Sequence, residues 1–154
     1  MNIKNMTQQE KIKFLKQIYT DEISIWEEDG MTLSEEHDKF YEIKKDLLKR
    51  AELDTIPLLM ELFDDDCYEL SWMHELEDLV TLIAGKHGGK GMKRLVDNFK
   101  IVPSKGQYHG QQYLLQMILN TEDDYEILKS IATDLEQSSK ELLFQILIEI
   151  KEKR

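Results

Sequence analysis

Ile56-Pro57-Leu58-Leu59-Met60-Glu61-Leu62-Phe63 decides the fold class. Ile56, Leu59 and Phe63 stand three and four residues apart, which marks one face of an α-helix and not the alternation of a strand. Pro57 suits the first turn of such a helix, where a missing N–H leaves no bond unmade. Asp54 is the candidate N-cap. The spacing returns 36 residues on as Met92, Leu95 and Phe99, and 33 after that as Tyr125, Leu128 and Ala132. Each short segment is followed by a longer apolar one. Helix pairs at this period predict an all-α fold of about seven to eight helices, either HEAT-like stacked pairs or an irregular helical bundle.

Towards the N-terminus, Thr7-Gln8-Gln9-Glu10 has the pattern of a capping box, ahead of a helix carrying Ile12, Leu15, Tyr19 and Trp26 with a break near Thr20-Asp21. Thr32-Leu33-Ser34-Glu35 predicts a second box, opening a helix with Phe40, Ile43, Leu47 and Ala51 on one face. Towards the C-terminus, Asp64-Asp65-Asp66 reads as a turn before a helix with Trp72, Leu76, Leu79, Val80 and Ile83, ending at Gly85. His87-Gly88-Gly89-Lys90-Gly91 reads as a flexible connection. Further helices are expected over Met92 to Phe99, from about Gln107 to Asn120, and from Thr121-Glu122-Asp123-Asp124 onward. A third box, Ser138-Ser139-Lys140-Glu141, predicts a terminal helix with Leu143, Phe144, Ile146, Leu147 and Ile150.

The 154 residues suit one domain, 1–154, and 41% hydrophobic residues suffice for a core. Two prolines and seven glycines leave long uninterrupted stretches, as helices need. The single cysteine, Cys67, has no partner for an internal disulfide. With no signal-type segment and no run near the ~20 apolar residues that cross a bilayer, the expected location is cytoplasmic.

Net charge is −11, and it is unevenly spread. Residues 20–80 hold twenty acids and five bases, while residues 81–110 hold one acid and six bases. An acidic chain repels duplex nucleic acid and anionic membranes, so neither is an expected partner. A basic protein surface is, because opposite fields speed encounter and fix orientation. The stretch Lys86, Lys90, Lys93, Arg94, Lys100 and Lys105 reads as a solvated face, or as one that pairs with the acidic part in a homodimer.

The segment from Glu61 to Asp78 is the candidate binding surface. Asp64, Asp65, Asp66 and Glu69, with Glu75 and Asp78 on the next helix, would steer arginines and lysines. Tyr68 and Trp72, four apart on one helical face, would anchor a partner if exposed; the alternative is a solvated turn with two core aromatics. Metal ligation is not expected. The aspartates lack the glycine and spacing of a calcium loop, Cys67 and His74 are too few for a zinc site, and neither CxxC nor HExxH occurs. The four histidines form no unit with a serine or cysteine nucleophile, and the glycine segment lacks P-loop spacing. The expectation is a binding protein with no cofactor, and not an enzyme.

Two segments carry a family resemblance. Pro57-Leu58-Leu59-Met60-Glu61-Leu62-Phe63-Asp64-Asp65-Asp66, followed by Trp72-Met73-His74-Glu75-Leu76-Glu77, resembles the signature region of the immunity protein 30 family of bacterial polymorphic toxin systems. Tyr113-Leu114-Leu115-Gln116-Met117-Ile118-Leu119-Asn120-Thr121-Glu122 is similar to a later block of that family. Together they cover roughly residues 54–130. The resemblance implies a cytosolic antidote that binds a cognate toxin domain, and the acidic segment from Glu61 to Asp78 is then expected to occlude the toxin's basic active-site surface. The other reading of the same residues is a helical-repeat adaptor or scaffold unrelated to toxins.

Overall fold

The computed structural model describes residues 3–20, 30–63, 70–102 and 109–152. Among them are eight α-helices: α1 (Gln8–Thr20), α2 (Gly30–Arg50), α3 (Thr55–Met60), α4 (Leu70–Lys86), α5 (Gly88–Asp97), α6 (Gly110–Asn120), α7 (Glu122–Ile131) and α8 (Gln137–Glu152). Short 3-10 turns lie at Ile3–Asn5, Phe99–Ile101 and Ala132–Asp134, and the described residues contain no strand. The fold is all-helical.

The helices form two rows. In one, α1 packs on α3, α3 on α5 and α5 on α7; in the other, α2 packs on α4, α4 on α6 and α6 on α8. Rungs between the rows come from α1 on α2, α3 on α4, α4 on α5 and α6 on α7. Contacts between helices two places apart in this described order are of the kind that stacked helix pairs make. The sequence period has a physical meaning here. Ile56, Leu59 and Phe63 on and just after α3, and Met92, Leu95 and Phe99 on and just after α5, are all buried in neighbouring members of one row. In the third copy, on α7, Leu128 is buried but Tyr125 and Ala132 are exposed. Buried apolar side chains form a continuous cluster from Ile12 to Ile150.

The first capping box forms as the sequence predicts. The Glu10 amide donates to Thr7 Oγ1 and the Thr7 amide to Glu10 Oε1, each at 3.1 Å. α1 is tied to α2 by Lys11, 1% exposed, whose ammonium bonds the Asp46 carboxylate. The other two boxes are corrected. α2 starts at Gly30, so Thr32 lies inside its first turn, and α8 starts at Gln137, which puts Ser138 inside it. Asp54 makes no capping bond; it is 90% exposed and pairs with Arg94 at 3.3 Å.

The cap of α8 comes from elsewhere in the chain. Asp97, at the end of α5, accepts the Glu136 amide at 3.2 Å and the Lys93 ammonium at 2.5 Å. Partial burial acts to raise its pKa, but hydrogen bonding, led by Lys93, outweighs burial and holds the carboxyl below the ordinary 3.8. A lowered carboxylate pKa gives stability that is present above the unfolded value and lost as pH falls through the folded one. Asp97→Asn is expected to cost about 1–2 kcal/mol at pH 7. Urea unfolding at pH 7 and at pH 3 checks this: the gap between the parent and the variant should narrow in acid.

The glycine-rich segment is also corrected: it is not a flexible loop. α4 runs through Lys86, His87 alone intervenes, and α5 begins at Gly88 with φ +57°. A Cβ on Gly91 would stand 1.9 Å from the Ala84 carbonyl oxygen, and one on Gly89 would stand 2.9 Å from Ile131 Cγ2. These glycines let α5 approach the α4 backbone and α7 more closely than any side chain allows.

Candidate functional site

α4 positions the residues on which the site depends. Trp72, Leu76, Leu79, Val80 and Ile83 form its buried stripe, and the turns between them carry Glu75, Asp78 and Leu82 to the outside. Glu75 and Asp78, three residues apart, share one cation: Lys44 Nζ on α2 donates to Glu75 Oε2 at 2.6 Å and to Asp78 Oδ2 at 2.9 Å. Tyr41, half-exposed on α2, donates its hydroxyl to Glu75 Oε1 at 3.2 Å. Burial works against the Lys44 charge, yet the hydrogen bonds to Asp78 and Glu75 outweigh it and raise its pKa above 10.5. For Tyr41, burial and the neighbouring Glu75 carboxylate both favour the neutral phenol and push its pKa above 10.0.

Trp72 is not an exposed anchor. It is 3% exposed and lies against Phe40 of α2, ring centroids 4.5 Å apart and tilted by 47°. Its place on the apolar stripe of α4 overrides its acidic neighbours. Asp64, Asp65, Asp66, Tyr68 and Glu69 lie outside the described residues.

Beside Asp78, a groove of about 760 Å³ opens between α4, the end of α6 and the first turns of α7. Leu82, Met117 and Ile127 supply apolar surface, while Asp78, Asp123, Asp124 and Glu126 supply carboxylates. Lys86 also lines the groove, but its ammonium donates to the Leu48 carbonyl at 2.8 Å. Glu126 pairs with Lys129 at 3.0 Å. Burial raises the pKa of Asp124 above 3.8, and the Asp123 charge adds to this, so the two carboxylates repel. A cation placed between them would relieve that repulsion. The acids also have a local role, because negative charge in the first turn of a helix favours α7. Apolar surface ringed by carboxylates accommodates a lysine or arginine, stem on Leu82 and head among the acids.

The same surface continues across α4 to α6. His74 Nδ1 lies 3.0 Å from Glu77 Oε2, and its ring meets the exposed Tyr113 edge to face at 5.5 Å. Three cations of the basic stretch are matched by acids of the same chain: Lys93 by Asp97, Arg94 by Asp54 and Lys100 by Glu136. Among the described residues, no three His, Cys, Asp or Glu side chains are grouped to hold a metal ion, and no helix is long and apolar enough to cross a membrane.

Sequence reasoning missed Asp123, Asp124 and Glu126 as site residues, having read them only as the start of a helix. The repeat contained the missing signal, because it makes α7 the row neighbour of α5 and so brings its first turn towards the end of α4. Compared with protein-family models, with curated proteins and with solved structures, the chain gives no match.

Proposed function

We propose that the protein is a binding protein for a basic protein domain, that this partner is a bacterial toxin, and that the chain neutralises it in the cytosol without catalysis of its own. The observation that carries this reading is the acidic groove, whose apolar surface and carboxylate rim suit the lysine or arginine side chains of a basic cleft. Net charge of −11 supports it through long-range steering, and the resemblance to the immunity protein 30 family supplies the toxin. Inhibition would be by occlusion, the groove and the Glu75–Asp78 face covering the toxin's substrate cleft. Asp64, Asp65, Asp66, Tyr68 and Glu69, outside the described residues, stay candidate toxin contacts on their sequence alone.

Co-purification with the C-terminal toxin domain encoded beside the gene, paired with rescue of growth when that domain is expressed, tests the reading. Tight binding and rescue are expected; neither binding nor rescue would remove it for that pair. Asp123→Lys combined with Asp124→Lys is expected to weaken binding about 100-fold, with much of the loss in the association rate and a flatter salt dependence. Unchanged affinity and salt dependence would move the contact away from the groove.

A second reading, a helical-repeat adaptor, is favoured by the two-row stack, an architecture that offers extended binding surfaces. Binding to a basic protein without growth rescue would favour it.

A further inference from the structure

Tyr41 on α2 and Tyr113 on α6 stand on the two flanks of α4, and they are 50% and 43% exposed. The Tyr41 hydroxyl reaches Glu75 of α4 from one side, and the Tyr113 ring meets His74 of α4 from the other. His74, Glu75, Asp78 and Leu82 lie within an arc of about 100° on the outside of α4. Tyr113 stands one turn before Met117, which lines the groove together with Asp78 and Leu82. A single surface therefore runs from Tyr41 over the outer arc of α4 to Tyr113 and on into the groove.

Charge and ring chemistry together say what fits it. Lys44 neutralises one charge of the Glu75–Asp78 pair and leaves the other. In the groove Asp123 and Asp124 repel each other, and the field stays negative with Lys86 beside them. Carboxylates alone draw lysine and arginine alike. The two tyrosines separate them. A guanidinium is planar and weakly hydrated, so it stacks on an aromatic face while its fork of N–H groups reaches a carboxylate; an ammonium is a strongly hydrated point charge. Glu75 and Asp78 already accept from Lys44, and a five-donor fork can still engage their remaining lone pairs. Tyr125 supplies the contrast. It lies two residues from both Asp123 and Ile127, hence on the opposite side of α7 from the groove, and the Lys129 ammonium of the same chain sits 4.8 Å from its ring centroid.

We infer that Tyr41 and Tyr113 are the anchoring residues of this surface and that it selects arginine over lysine. The partner's basic face lays guanidinium planes on the two rings and turns their N–H groups to the carboxylates of α4 and the groove. Tyrosine and arginine are the residues that most often carry the energy of such contacts. This inference rests on the groove as the contact for a basic protein, and it adds the side chain recognised and the residues that recognise it. The role expected of Tyr68 and Trp72 passes to two tyrosines on the neighbouring helices.

Calorimetric titration of the full chain with oligo-arginine and oligo-lysine peptides of equal length, at about 150 mM salt, tests it. The arginine peptide is expected to bind about tenfold more tightly. Tyr41→Leu combined with Tyr113→Leu should bring the two affinities within about twofold by weakening the arginine peptide alone, with the thermal melt little changed at these exposed positions. Tyr41→Phe, which keeps the ring, and Tyr125→Leu should both preserve the preference. Equal affinities in the parent chain, or no binding of either peptide, would overturn the inference. So would a preference that survives the double leucine variant, or one that Tyr125→Leu removes. The toxin reading fails separately: a toxin domain that neither binds nor is neutralised removes that reading and leaves a tyrosine-dependent arginine preference standing. A bound toxin without that preference does the reverse.

Discussion

Gly91→Ala is expected to lower folding stability by about 3 kcal/mol or more. The added carbon would stand 1.9 Å from the Ala84 oxygen, with the Ala84 carbonyl carbon and Cα at 2.7 and 2.8 Å. All three are backbone atoms of α4, so no rotamer change makes room and α5 must withdraw from its neighbour. The roughly 1 kcal/mol that alanine gains over glycine inside a helix does not offset this. Gly85→Ala is the internal contrast: at an exposed position of α4, its Cβ would meet Asp124 Oδ1 at 4.0 Å, an ordinary contact. It should leave stability unchanged or raise it by about 0.5–1 kcal/mol. Denaturant melts of both variants check the pair. Similar behaviour of the two would mean that the glycine segment is a loose connection after all.

Trp72→Ala is expected to cost about 3–5 kcal/mol, a large fraction of the roughly 5–15 kcal/mol that holds a domain of this size together. The loss combines the burial of a large ring with the cavity left against Phe40, at a site where α2 and α4 meet. Trp72→Phe should recover about half, since a smaller ring fills part of the space. Thermal and urea unfolding read the effect directly. An interface anchor would behave in the opposite way: its removal would leave the melt where it was and weaken only partner binding.

The all-helical class was legible because helical periodicity is local, and the repeat was legible because α3 and α5 bury the same three positions. Helix starts were less so. Thr7 caps α1 through its own neighbours, as a local motif can, but α8 is capped by Asp97 from another helix, and nothing near Ser138 announces that. The glycine segment was misread because one letter serves two needs: a turn, and the close approach of two backbones. At the site, Glu75 and Asp78 could be recognised as acids three residues apart on one face of a helix. Their sharing of Lys44 could not, because α2 and α4 meet only in three dimensions. The groove acids of α7 were hidden for the same reason. Trp72 sat between two signals, an apolar stripe and acidic neighbours, and the stripe decided its place.

The two-row arrangement also bears on how such a protein changes over generations. Because contacts run mainly between helices one or two places apart, a substitution disturbs its immediate neighbours and fades beyond them. Asp123, Asp124 and Glu126 can be exchanged without repacking α1 or α2, and the outer face of α8 can be redrawn without touching the groove. A surface that must follow a changing partner gains from such a frame, in which each patch can vary at its own pace.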